Sequence, residues 1–200
     1  MTTLILLAAL IPIAPGAPAA AGGSTAPAPT SQAAKLARYI VRVNPKARPT
    51  ASKLARAILR EAKRFRLDPA LLAAIAHNES WFDVRARGRS FEYGAFQLWW
   101  RASYLGPAWA QLRTTLGSLP GYPDVGWSKL GRKLQIRACR DPDLSAFLAG
   151  HLLAYHMRRC RSRDRYRCAA AYNSGNWRKV RRGYRAKLRY RALRIRRAMR

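Results

Sequence analysis

Glu79 is the residue whose setting points most directly to chemistry. Leu72, Ile75, Ala76 and Glu79 follow one another at i, i+3, i+4 and i+7, so on a helix they share one face. That face is otherwise apolar, and Trp81 and Phe82 come next and are expected to cover the carboxyl. Burial disfavours the charged form of a carboxyl. The C-terminal end of a helix, where Glu79 falls, disfavours negative charge as well. A carboxyl kept neutral up to about pH 6 is what a general acid for glycosidic cleavage needs. The alternative on this helix alone is a structural Glu paired with one of the many arginines.

Three short segments stand in order around this residue. Leu67-Asp68-Pro69-Ala70-Leu71-Leu72-Ala73-Ala74-Ile75 leads to Glu79-Ser80. Gly94-Ala95-Phe96-Gln97-Leu98 follows, with Gln97 eighteen positions after Glu79, and Ala171-Tyr172-Asn173-Ser174-Gly175 comes later. Together they resemble the family 1 lytic transglycosylases of the soluble-lytic-transglycosylase type. In that family a Glu-Ser pair ends such a helix, and Gly-Leu-Met-Gln and Ala-Tyr-Asn-x-Gly segments follow. The resemblance spans roughly residues 35 to 190. Each motif is weak alone, and the ordered set of three carries the likeness.

The resemblance implies an all-α, lysozyme-like single domain. It also implies cleavage of the β-1,4 bond between N-acetylmuramic acid and N-acetylglucosamine, with a 1,6-anhydro product and no cofactor. Glu79 would act first as acid and then as base. By matching, Gln97 would hydrogen-bond sugar groups and Tyr172 would point its hydroxyl toward Glu79 or the substrate. Asn173 would bind an acetamido group or hold its loop, and Ser80 would bond near the Glu79 backbone or carboxyl. Gly94 would let the chain approach the cleft, and Phe96 would supply an apolar wall. Ala95 and Phe96 stand where the family has Leu-Met, and Glu92 and Tyr93 stand where small residues are usual.

Asp83 and Glu92 are candidates for a second carboxylate, which would activate water and give a lysozyme-type hydrolase. The expectation is instead that both pair with Arg85, Arg87 or Arg89. His77, His151 and His156 are scattered and form no metal-ligand pattern, so no metal is expected. Trp99, Trp100, Trp109 and Trp127 fit core packing or sugar stacking.

The elements that must position these groups are helical. Lys35 to Val43 reads as a short helix, and Thr50 is expected to cap another over Ala51 to Phe65, with Leu54, Ile58, Ala62 and Phe65 as its buried stripe. Asp68-Pro69 opens a helix to about Ser80, and Asp141-Pro142 one to about Arg158. Residues 81 to 94 read as a loop, helix resumes near Ala95, and residues 117 to 131 form a second long loop. Tyr166 to Tyr172 enters a helix broken by Asn173-Ser174-Gly175-Asn176. Arg178 to Arg200 is a basic helical tail, expected to serve attachment to anionic envelope polymers or lipid more than turnover. Nucleic acid is a further candidate partner in a non-enzymatic reading of that tail.

The charge supports such partners. Thirty-nine Lys and Arg against nine Asp and Glu give a net charge of +30, all of it beyond residue 34. A surface of this kind attracts polyanions, including peptidoglycan with its peptide carboxylates. Residues 1–21 read as a signal peptide without a basic start, 22–33 as a flexible linker, and 34–200 as the domain, so an exported monomer is expected. Of the three cysteines, Cys160 and Cys168 flank a short basic loop between two helices and are the easier pair to close, which leaves Cys139 free.

Overall fold

The alanine- and leucine-rich segments fold as eight α-helices in the computed structural model, which describes residues 31–200. The expected signal peptide and the linker up to residue 30 lie outside the described residues. Helix covers 69% of them, and strand is limited to two short segments, so the all-α class holds.

Helix α1 (Gln32–Val43) begins inside the expected linker, because Ser31 caps it by accepting from the Ala34 amide at 3.2 Å. Helix α2 (Arg48–Arg64) starts before Thr50, not after it. Pro49 fits the first turn, and the Thr50 hydroxyl donates to the Ala47 carbonyl. Leu54, Ile58 and Ala62 are buried as the stripe requires, and Phe65 packs edge-on against Phe147 at 5.1 Å. Helix α3 (Pro69–Ser80) is capped by Asp68, which accepts from the Ala70 amide at 3.0 Å. Every residue from Ala70 to His77 is buried, so α3 runs through the core and is not merely a one-faced surface helix.

The helix expected from Ala95 does not form. Glu92–Tyr93 (β1) pairs antiparallel with Leu98–Trp99 (β2), and helix resumes only at Leu105. Gly94 and Gln97 both take positive φ, +79° and +48°, which a right-handed helix cannot accommodate. Helix α4 (Leu105–Leu116) follows. The 117–131 loop carries a 3-10 turn at Trp127–Lys129, and α5 (Arg132–Arg140) is a helix the sequence reading lacked. Helices α6 (Pro142–Arg159) and α7 (Arg165–Ser174) are both capped by aspartates, Asp141 and Asp164, and α7 stops where Gly175 turns left-handed. A disulfide joins Cys160 to Cys168 across the loop between them, while Cys139 is free and buried.

Helix α8 (Arg182–Met199) packs along α3 and also touches α1 and α7. It buries Leu188, Ala192, Ile195 and Met199. Burial of large aliphatic or thioether side chains contributes about 1.5–3 kcal/mol each. The basic segment is therefore a core helix with a charged outer face.

Candidate active site

The carboxylates sort themselves by their partners. Glu61, the most buried acid, receives Arg60 Nε at 2.6 Å and Arg64 Nε at 2.7 Å. Asp68 pairs with Arg165 and Arg196, Asp141 and Asp143 with Lys53, Asp124 with Arg113, and Asp164 with Arg185. Only Glu79, Asp83 and Glu92 have no cationic partner among the described residues. In a chain with 39 cations this separates them from acids whose role is pairing. Asp83 and Glu92 do not pair with the loop arginines as expected. Asp83 accepts from the Arg85 amide at 2.8 Å, and Glu92 from the Ser90 amide at 3.0 Å. These acceptors satisfy backbone donors at turns, which holds both side chains without a guanidinium.

Glu79 and Glu92 line one cleft of about 680 Å³, together with Gln97, Trp99, Tyr155 and Asn173. Glu79 sits in the last turn of α3 and is half-buried. Burial raises its pKa above the ordinary carboxylate value. The negative charge of Glu92 adds to the rise, and the Tyr184 hydroxyl and Asn173 amide oppose it. The Tyr184 hydroxyl donates to Glu79 Oε1 at 2.6 Å. Its own pKa is raised far beyond the usual phenol by burial and by Glu79, so it stays a donor.

Trp81 and Phe82 do not cover the carboxyl. Both adopt left-handed backbone, φ 58° and 64°, as α3 ends. That turn throws Trp81 outward, 52% exposed beneath the Arg191 guanidinium, and sends Phe82 into the core beside Tyr39 and His77. Arg191 also donates to the His77 carbonyl at 2.8 Å and to Asn78 Oδ1 at 2.6 Å, which ties α8 to the end of α3.

The motif residues divide into cleft and scaffold. Gln97 and Asn173 reach the cleft, and Gln97 Nε2 donates to the Gly94 carbonyl at 3.0 Å. Tyr172 borders the cleft, but its hydroxyl donates to the Phe96 carbonyl at 3.0 Å and not to Glu79. Ser80 likewise turns away from the carboxyl: its hydroxyl donates to the Ala95 carbonyl at 2.8 Å. These two hydroxyls grip consecutive carbonyls of the 94–97 turn and so hold Gln97 in place. Phe96 is fully buried and forms no wall of the cleft. Gly94 serves close approach to α5 instead of to a ligand, since a Cβ there would lie 1.9 Å from the Cys139 carbonyl oxygen.

Trp109 and Trp127 pack together in the core at 5.4 Å, whereas Trp99 borders the cleft 46% exposed. His77 is buried with its pKa pushed down to about 4, first by burial and then by Arg191 and Arg194. No cluster of His, Cys, Asp and Glu among the described residues is arranged to hold a metal. Tyr184 was invisible to sequence reasoning, because no motif or spacing joins it to Glu79. Of the tryptophans expected in core packing or sugar stacking, Trp99 is the one at the cleft, in the strand that pairs with Glu92. Comparison with family models, curated proteins and solved structures gives no match.

Proposed function

We propose that the chain is a peptidoglycan lytic transglycosylase with a lysozyme-like fold, acting on the bond between N-acetylmuramic acid and N-acetylglucosamine. The observation that carries this reading is Glu79: a carboxyl without a cation, desolvated at a cleft wall, facing a phenol that stays protonated. A carboxyl that holds its proton can deliver it to the departing glycosidic oxygen. As the C1–O bond breaks, the muramic C6 hydroxyl attacks C1 and its proton passes to Glu79. A 1,6-anhydro ring forms and the enzyme returns to its starting state with no water consumed. The substrate's N-acetyl group stabilises the positive centre in the substrate-assisted manner. Gln97 and Asn173 offer hydrogen bonds to acetamido groups, and Trp99 offers a stacking face.

The partner in this reading is the glycan strand. The +30 charge favours a wall rich in carboxylates and phosphates, and export to the envelope accompanies the proposal. A second reading is supported by Glu92, which lines the same cleft without a cationic partner and is chemically able to activate a water, giving a lysozyme-type hydrolase. Digestion of purified peptidoglycan followed by mass spectrometry separates the two. Anhydro-muramic ends, one water lighter, support the lyase, and reducing ends support the hydrolase. Absence of any released fragment, or full activity in Glu79→Gln, rejects both.

A further inference from the structure

A second cavity, also about 680 Å³, opens beside the cleft and shares Tyr155, His156 and Gly175 with it. Its distinctive lining is Arg158 and Arg159 from the last turn of α6, Arg161 just beyond, and Arg178 after α7. No acidic side chain lines it, and none of these four arginines is in an ion pair among the described residues. His156 adds no lasting charge, because burial and then Arg159 lower its pKa. The positive charge is therefore guanidinium, fixed at every physiological pH.

Two of the four arginines are held by aromatic rings. The Arg159 guanidinium lies 5.3 Å from the centre of the Tyr155 ring and that of Arg178 5.3 Å from Trp177, within cation–π range. Cys160, between Arg159 and Arg161, is bonded to Cys168 of α7, so the turn bearing these residues is pinned. A pinned turn loses less entropy on binding than a mobile one.

We infer that this cavity is a subsite for the acidic stem peptide of the strand bound in the cleft. The inference rests on the glycan-cleaving function proposed above. Planar carboxylates match the guanidinium fork, often in bidentate fashion. A stem peptide carries several of them and branches from the muramic lactyl group, so it must leave the cleft sideways. The shared wall at Tyr155 and Gly175 is such an exit. The covalent link to the sugar raises the local concentration of those carboxylates beside the arginines. A free phosphate polymer has the charge but not the tether.

Isothermal titration with the Glu79→Gln protein, which leaves ligands intact, tests this. The probes are a muramic tetrasaccharide with stems, the same sugar stripped of peptide, the free stem peptide, and a glycerol-phosphate oligomer. The stems are expected to tighten binding about ten-fold at low salt, with the increment shrinking as salt rises. Changing Arg158, Arg161 and Arg178 together to Gln is expected to abolish the increment. All three are exposed, and an unaltered thermal melt shows that the fold is intact. Three results overturn the inference: no increment, an increment that survives the substitutions, or stronger binding of the phosphate oligomer than of the stem-bearing sugar. If the stripped sugar fails to bind while the free peptide binds through the arginines, the glycan-cleaving reading falls and the anionic-peptide subsite stands.

Discussion

The Tyr184 hydroxyl reaches Glu79 Oε1 at 2.6 Å from a position 105 residues further along the chain. The bond exists because α8 lies along α3, with Leu188, Ala192 and Ile195 buried on the same helix. Packing and site chemistry thus share one element. Tyr184 partly offsets the effect of burial on Glu79, so the carboxyl is tuned by two opposed influences and not by desolvation alone.

Tyr184→Phe removes the donor while keeping the ring. Because the hydroxyl favours the charged carboxylate, its loss raises the Glu79 pKa further. The alkaline limb of the pH–rate profile is expected to move to higher pH. A hydrogen bond to a charged group is worth about 1.5–3 kcal/mol, so kcat/KM is expected to fall about 10- to 100-fold. A profile identical to the parent's would show that the bond does not influence the reacting proton.

Glu79→Gln is expected to stabilise the protein while removing its activity. The folded carboxyl binds its proton more tightly than an ordinary glutamate, whose pKa is 4.5. Its ionisation therefore weakens the fold as pH rises through the raised pKa, and costs nothing well below 4.5. The gain in Tm for the Gln variant should be near zero at about pH 4 and grow toward neutrality, by about 2–4 °C for each kcal/mol relieved. Melts at both ends of that range check it. A gain of equal size at both would mean that charge burial is not the cause.

Much of this arrangement is written locally in the sequence, and part of it is not. Asp68-Pro69 and Asp141-Pro142 announce α3 and α6 because a cap and a first-turn proline act on adjacent residues. Helix α5 carries no such signal: Gly131 precedes it without a side-chain cap, and its many basic residues mask the buried Gln135, Ala138 and Cys139. The helix expected from Ala95 gives way to a turn because Gln97 at φ 48° is a tertiary outcome, held by contacts from α3 and α7. Glu79 and Gln97 were legible as a pair through their motifs. Tyr172 and Ser80 were legible as important, but their role as clamps of that turn depends on where their hydroxyls point. Tyr184 required the packing of α8, which no nearby residue encodes.

Gly94→Ala tests the clamped turn. The new methyl would meet the Cys139 carbonyl, and φ +79° is unfavourable for any side chain. Left-handed backbone costs about 1–2 kcal/mol and overpacking about 1–3 kcal/mol, so a loss of about 2–5 kcal/mol is expected in denaturant melts. Gly175→Ala is the comparison: its φ is +68° but a Cβ there meets nothing within 4 Å, so only the backbone cost should remain. Equal losses in the two variants would show that the contact with α5 is not tight.

Removing residues 182–200 decides whether the basic helix is a separable attachment device, as its composition suggests, or part of the fold. The helix takes four buried side chains with it, along with the Arg191 bonds to His77 and Asn78 and the Tyr184 bond to Glu79. Burial of Leu188, Ile195 and Met199 alone is worth about 1.5–3 kcal/mol each, comparable in sum to the whole stability of an ordinary domain, about 5–15 kcal/mol. The truncated chain is expected to lose its cooperative thermal transition and all lytic activity. Replacing only the exposed Lys187, Arg189 and Arg197 by Gln should leave the melt in place and weaken salt-sensitive binding to cell walls. A truncated protein that still melts cooperatively and cleaves soluble fragments would return the helix to the role of a detachable anchor.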